Sequence, residues 1–282
     1  MPQCDEALAR AAALIMDADG LLIAAGAGMG VDSGLPDFRG TSGFWRAYPP
    51  LGKLRLAFHE MACPDTFERD PRLAWGFYGH RLALYRATRP HAGFSILRAI
   101  GARMAHGGFV FTSNVDGQFQ RASFGDEAVV ECHGSIHHLQ CTQPCCDTIW
   151  PADAFLPEVD MDACRLLSNL PLCPRCGALA RPNILMFNDG AWLHDRSENQ
   201  YARFTRWRAR VKRLAVIELG AGMDIPSVRR MAESQRAPVI RINPREAAVR
   251  DCVSLEMGAL DAIRALATRL GIEPDQAEQL SI

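Results

Sequence analysis

The sequence predicts an α/β chain built on a doubly wound parallel sheet, with a smaller module inserted into it. Three observations lead there. Short apolar runs recur, the first at residues 21–25, ending in glycines as buried parallel strands do. Further runs of this kind lie at 108–112, 128–132, 214–219 and 239–242, and helical stretches such as 94–105 and 227–235 separate several of them. Two segments break the alternation. One, at about 41–90, is helical and aromatic-rich. The other, at 139–178, is rich in cysteine. The expected division is therefore a Rossmann-like domain of 1–40, 91–138 and 179–282, with 41–90 and 139–178 forming the small module. In such sheets ligands bind at the carboxyl ends of the strands.

Composition narrows the function. The 282 residues carry 48% hydrophobic and 22% charged side chains, ordinary for a globular protein. A net charge of −1 argues against a nucleic-acid or anionic-membrane partner. Asp5 and Glu6 stand where a secretory signal would need a positive region, and no apolar run approaches the ~18 residues of a membrane span. The expected location is the cytoplasm. Oligomeric state leaves no mark in the composition.

Ten cysteines in a chain of this kind point to metal binding or buried thiols before disulfides. Cys173 and Cys176 form a Cys-Pro-Arg-Cys knuckle followed by Gly177. Cys141, Cys145 and Cys146 lie in Cys-Thr-Gln-Pro-Cys-Cys, where Cys145 and Cys146 compete for one position and Cys145 is favoured. Two tight turns, each offering a pair of thiolates, suit a tetrahedral zinc. Four sulfur ligands leave no open position, so the expected metal is structural. Cys4, Cys63, Cys132, Cys164 and Cys252 are scattered and read as core thiols.

Directly after the first strand comes Gly26-Ala27-Gly28-Met29-Gly30. Glycines there let the backbone approach a pyrophosphate and aim N–H groups at it. The continuation departs from the common dinucleotide fingerprint, which expects an acid about 20 positions later. Here the loop runs into Pro36-Asp37-Phe38-Arg39-Gly40, placing an acid, a ring and a cation beside the phosphates.

Residues 26–39, with Gly30 in place of a serine, resemble the sirtuins, NAD-consuming protein deacylases. The same family's order continues in Asn114-Val115-Asp116, His133-Gly134, the first zinc cysteine eight residues later, and Arg181-Pro182-Asn183-Ile184-Leu185-Met186-Phe187. The resemblance spans about 20–260. It implies NAD as co-substrate on Gly26, Ala27 and Gly28, with Asp37, Phe38 and Arg39 shaping the nicotinamide pocket. It extends the cofactor-binding set to Ser113, Asn114, Asp116, Gly220, Ala221, Gly222, Asn243 and Leu260. It implies an acylated-lysine protein or peptide as the other substrate, held by the strand with Leu185 and Phe187. His133 would be the general base on a ribose hydroxyl, a task suited to an imidazole near neutrality. Asn114 would hold ribose or a water. His137 and His138 read as structural.

In the aromatic segment Asp70-Pro71 reads as a helix cap and first-turn proline. Tyr78 and Arg81, three apart, then share one face and could grip a carboxylate. This Tyr-x-x-Arg resembles the acyl pocket of sirtuins that remove succinyl and malonyl groups. Departures from the family pattern are Ser113 for a glutamine, Gly220-Ala221-Gly222 for Gly-Thr-Ser, Asn243-Pro244-Arg245-Glu246 with one extra residue, and Asn188-Asp189 for Gly-Glu. Each moves a hydrogen bond or two, of order 1 kcal/mol. Residues 114–120 also resemble macrodomain-linked sirtuins that transfer ADP-ribose to proteins, although those lack the histidine present here as His133. The rival readings are thus an ADP-ribosyltransferase or NAD hydrolase, and a non-catalytic NAD-binding sensor.

Overall fold

The computed structural model describes residues 2–37, 40–143, 145–248 and 252–272. In chain order the elements are α1 (Pro2–Asp17), β1 (Gly20–Ala25), a 3-10 turn (Ala27–Ser33), then α2 (Gly40–Ala47), α3 (Pro49–Lys53), α4 (Phe58–Met61), α5 (Pro64–Arg69), α6 (Pro71–Ala87) and α7 (Ala92–Ala102). There follow β2 (Gly108–Thr112), α8 (Gln118–Arg121), β3 (Val129–Glu131), β4 (Gly134–Cys141), β5 (Ile149–Pro151), β6 (Val159–Asp160), β7 (Arg165–Leu166) and β8 (Ala180–Ile184). The chain then forms α9 (Asp195–Arg208), β9 (Leu214–Leu219), α10 (Ser227–Ser234), β10 (Val239–Ile242), β11 (Val253–Leu255) and α11 (Ala259–Arg269).

Six parallel strands make the main sheet, in the order β11-β10-β9-β1-β2-β3. The chain winds outward from β1 through β2 to β3, then returns to the other side of β1 with β9 and winds out through β10 to β11. The direction reverses between β1 and β9, the switch point where doubly wound sheets open a crevice. Every residue of β1 and β9 is buried, as expected of strands covered on both faces. Alternate residues divide between two cores. Leu21, Ile23, Val110 and Ile217 pack under α1, α7 and α11 with Ile15, Leu97 and Ile263. Leu22, Ala24, Phe109 and Val216 pack under α9 and α10 with Phe204, Trp207 and Val228. Each such aliphatic side chain contributes about 1.5–3 kcal/mol of burial.

A third core belongs to the inserted segments. Phe44, Tyr48, Phe67, Trp75, Phe77 and Tyr78 pack with Ile136, Leu139, Ala180 and Ile184. The last four come from a separate antiparallel sheet, β5-β4-β8. The strand β4 continues past residue 138, with a register shift against β8 between Ser135 and Leu139, so 134–138 and 180–184 lie in this small sheet and not in the parallel one. Helix α6 starts as its sequence suggests: Pro71 opens it, and the Asp70 side chain accepts from the Leu73 N–H at 3.1 Å. Its interior Gly76 has a contact reason, since a Cβ there would lie 2.0 Å from the Cys164 carbonyl oxygen. The β6–β7 hairpin thus presses against α6, and Arg165 and Asp70 pair across the junction. No helix among the described residues is long and apolar enough to cross a membrane.

Candidate active site

The register of the parallel sheet explains where the site lies. Ala25 stands opposite Thr112 and Leu219, Thr112 opposite Glu131, and Ile242 opposite Leu219. These residues form one row, so the chain leaves five neighbouring strands along a single edge. The residues emerging there are Gly26–Ala27–Gly28, Ser113–Asn114, His133, Gly220–Ala221–Gly222 and Asn243. Segments more than 200 residues apart in sequence therefore meet at the switch point.

Short polar contacts knit this edge. The Thr112 hydroxyl donates to the Ala25 carbonyl at 2.9 Å and accepts from the Asn114 N–H at 3.0 Å. The Asn114 amide donates to the Gly26 carbonyl at 3.0 Å, tying its loop to the glycine turn. Ser113 donates its N–H to Ala25. The glycines are needed because two backbones cross: a Cβ on Gly28 would lie 2.6 Å from the Gly220 Cα, and one on Gly26 2.8 Å from the Gly220 oxygen. Gly220 itself has φ 57°, a region an L side chain resists. Those glycines therefore answer to a loop crossing as well as to any phosphate.

His133 leaves the end of β3, and its carbonyl accepts the Leu185 N–H at 2.9 Å. Its Nε2 lies 3.3 Å from the Ser227 hydroxyl. Burial lowers its pKa, opposed by the Ser113 carbonyl beside the ring. The ring is thus neutral at pH 7 and able to accept a proton. Asp116 is buried, and its carboxylate accepts from the Gln118 N–H at 2.9 Å. Desolvation raises its pKa to about 6, helped by Glu131. His137 donates Nε2–H to the Asp116 carbonyl at 2.9 Å, a structural role. Phe38 and Arg39, expected at the nicotinamide end, lie outside the described residues, while Asp37 stands 3.8 Å from Arg245.

The loop after β9 is held from behind. The Ala221 carbonyl accepts from Asn243 Nδ2 at 3.0 Å and from Arg229 Nη2 at 3.1 Å. Fully buried Asn243 also accepts the Arg245 and Glu246 N–H groups, each at 3.0 Å. These bonds close a tight turn over residues 243–246, and Arg229 bonds the Glu246 carbonyl. Leu260, at the start of α11, donates its N–H to Asp32 at 2.9 Å.

On α6, Tyr78 and Arg81 do come together, both buried. The Arg81 guanidinium lies 5.2–5.7 Å from the ring centres of Phe77, Tyr78 and Tyr85, and its Nε donates to the Tyr85 hydroxyl at 3.0 Å. The Tyr78 hydroxyl is buried with no hydrogen-bond partner among the described residues, which costs about 1–3 kcal/mol. Tyr85, four residues beyond Arg81, was legible from helical spacing but not singled out. Leu185 and Phe187 are partly exposed just past β8, and Phe187 donates its N–H to Ala62 at 2.9 Å. Asn188 has φ 55°, which asparagine tolerates better than most residues. Asp189 takes both guanidinium nitrogens of buried Arg181 at 2.7 and 2.8 Å. Asn188-Asp189 thus supports a tight turn closed by a buried ion pair.

The cysteine cluster is compact. The sulfurs of Cys141, Cys145, Cys173 and Cys176 all lie within 4.8 Å of one another, with Cys141–Cys176 at 3.6 Å and Cys145–Cys173 at 3.7 Å. A tetrahedral zinc with arms of ~2.3 Å has sulfur–sulfur edges of about 3.8 Å, so the donor set fits that ion. Cys146 approaches Cys145 at 3.4 Å but stands outside the group of four. Cys141 ends β4 opposite Ala180 at the start of β8. A zinc here would close the long excursion between those strands, at the opposite end of β4 from His133, and would be saturated by thiolates.

A sheet with its site at a switch point and a four-cysteine clamp on an inserted lobe defines an α/β protein of the nucleotide-binding type. The family model described as the Sir2 family matches residues 26–207, and the chain belongs to that family, the sirtuins its motifs resemble. It is 33% identical over 231 residues to NAD-dependent protein deacylase 2 of Pyrobaculum aerophilum, covering 79% of each chain. It is 30% identical over 256 residues to an NAD-dependent protein deacylase of Aeropyrum pernix, covering 88% of this chain and 91% of that one. A solved Sir2 homologue in complex with NAD shares the fold at a TM-score of 0.70 and 23% identity, covering 93% of each chain.

Proposed function

We propose that the chain is an NAD-dependent protein-lysine deacylase whose pocket favours acidic acyl groups. The observation that supports deacylation best is the meeting of neutral His133, Asn114 and the Gly26–Gly28 turn on one sheet edge. The names of the relatives point the same way. When bound, NAD supplies a ribose carbon that exchanges nicotinamide for the acyl oxygen of a modified lysine. His133 then holds the proton of a ribose hydroxyl, the work of a general base whose ring is unprotonated at pH 7. Asn114, fixed by Thr112 and Gly26, offers its amide oxygen at the same edge. Leu185 and Phe187 offer apolar side chains to the peptide.

The acyl preference rests on Tyr78 and Arg81. A buried hydroxyl without a partner among the described residues, beside a buried guanidinium ringed by aromatics, suits an incoming carboxylate that accepts from both. Such charge-assisted bonds are worth about 1.5–3 kcal/mol, roughly 10- to 100-fold in selectivity. The test is turnover of succinyl-lysine and acetyl-lysine peptides with NAD, following nicotinamide and the fate of ADP-ribose. Arg81→Met should reduce succinyl turnover selectively. Equal loss on both peptides, or none, would sink the acyl reading. ADP-ribose on protein would mark a transferase, free ADP-ribose without peptide an NAD hydrolase, and no turnover a sensor.

A further inference from the structure

The Ser227 hydroxyl, 3.3 Å from Nε2 of His133, has no place in the scheme above. Ser227 opens α10 but does not cap it, since the cap position belongs to Pro226, with no side-chain bond. Its placement is nevertheless fixed. Val228 and Ala232 of the same helix are buried in the core, and Arg229 is bonded to the Ala221 and Glu246 carbonyls. The hydroxyl is thus delivered to a histidine 94 positions away by a helix that cannot easily turn. The loop leading into it carries Ala221 and Gly222, which have no hydroxyl to offer this edge.

We infer that Ser227 is a positioning residue for His133. Resting on the deacylase reading, the inference is that its hydroxyl holds the imidazole in both protonation states. A hydroxyl can donate to the lone pair of neutral Nε2 and, after rotating about Cβ–Oγ, accept from Nε2–H once the ring has taken a proton. No bond other than that proton's is made or broken, and the serine ends unchanged. A neighbour that could only donate would oppose the protonated ring. One that could only accept would favour the wrong tautomer.

The experiment pairs kinetics with ring NMR. In Ser227→Ala, kcat should fall about tenfold while KM for NAD and for acyl peptide stays within about twofold, because the residue acts through His133 and not on either substrate. Ser227→Thr should restore most of the rate. In the ligand-free protein the ring ¹⁵N resonances of His133 should move in Ser227→Ala and return towards wild type in Ser227→Thr, with thermal melts confirming that both variants fold. Wild-type turnover tests the deacylase reading by itself. With turnover present, an unchanged kcat or unmoved His133 resonances in Ser227→Ala would overturn the role of Ser227 alone.

Discussion

Replacing Asp116 by asparagine keeps the acceptor for the Gln118 N–H and removes one buried titration. Burial raises the Asp116 pKa from 3.8 to about 6, so the folded state binds this proton more tightly than the unfolded chain. Its contribution to stability is therefore fully present below about pH 3.8 and is lost as pH rises through 6. At 1.36 kcal/mol per pH unit the rise corresponds to about 3 kcal/mol. Asp116→Asn, which does not titrate, should accordingly be more stable than wild type by up to about 3 kcal/mol at pH 7.5, and by less than about 1 kcal/mol at pH 4. With an unfolding entropy of about 2.1 cal/mol/K per residue, the neutral-pH gain is about 5 °C in Tm. Thermal melts of both proteins at the two pH values measure the gap, and other titrating groups cancel between them. A gap that is equal at both pH values, or a variant less stable at pH 7.5, would show that Asp116 is not held in a desolvated site. Retaining this cost at the carboxyl edge is what a functional carboxyl would require.

Three further outcomes follow from the geometry. Cys145→Ser should lose bound zinc on purification while Cys146→Ser retains about one zinc per chain, read by elemental analysis; the reverse would place Cys146 in the clamp. Asp189→Asn leaves the Arg181 guanidinium buried beside a neutral amide, and should destabilise by about 3–5 kcal/mol in urea titrations; a loss under 1 kcal/mol would mean that the pair is open to water. Tyr78→Phe removes a buried hydroxyl that has no partner among the described residues, so stability should hold or rise by about 1 kcal/mol while succinyl turnover falls relative to acetyl. A destabilised variant would mean that the hydroxyl has a structural bond instead.

Much of the fold was written locally. The runs at 108–112, 214–219 and 239–242 became β2, β9 and β10 with the expected ends, because strands buried on both faces are continuously apolar. Asp70-Pro71 started α6 as capping chemistry requires, and two cysteine pairs announced a tetrahedral donor set. The three-residue strand β11 was too short to leave a periodic signal. The antiparallel sheet was missed because β4 and β8 become a pair only when the chain between them folds back.

The tertiary structure decided the rest. Strand order and register placed Gly26, Asn114, His133, Gly220 and Asn243 on one edge, and no local pattern encodes which strands become neighbours. Packing brings the sulfurs of Cys141, Cys145, Cys173 and Cys176 within 4.8 Å of one another and leaves Cys146, adjacent in sequence and alike in chemistry, outside that group. The Ser227–His133 contact and the ion pair behind Asn188 likewise exist only where separate elements converge. Periodicity and capping are short-range properties of a chain, whereas a site is an intersection of elements, and their packing alone fixes which side chains come within a hydrogen bond of each other.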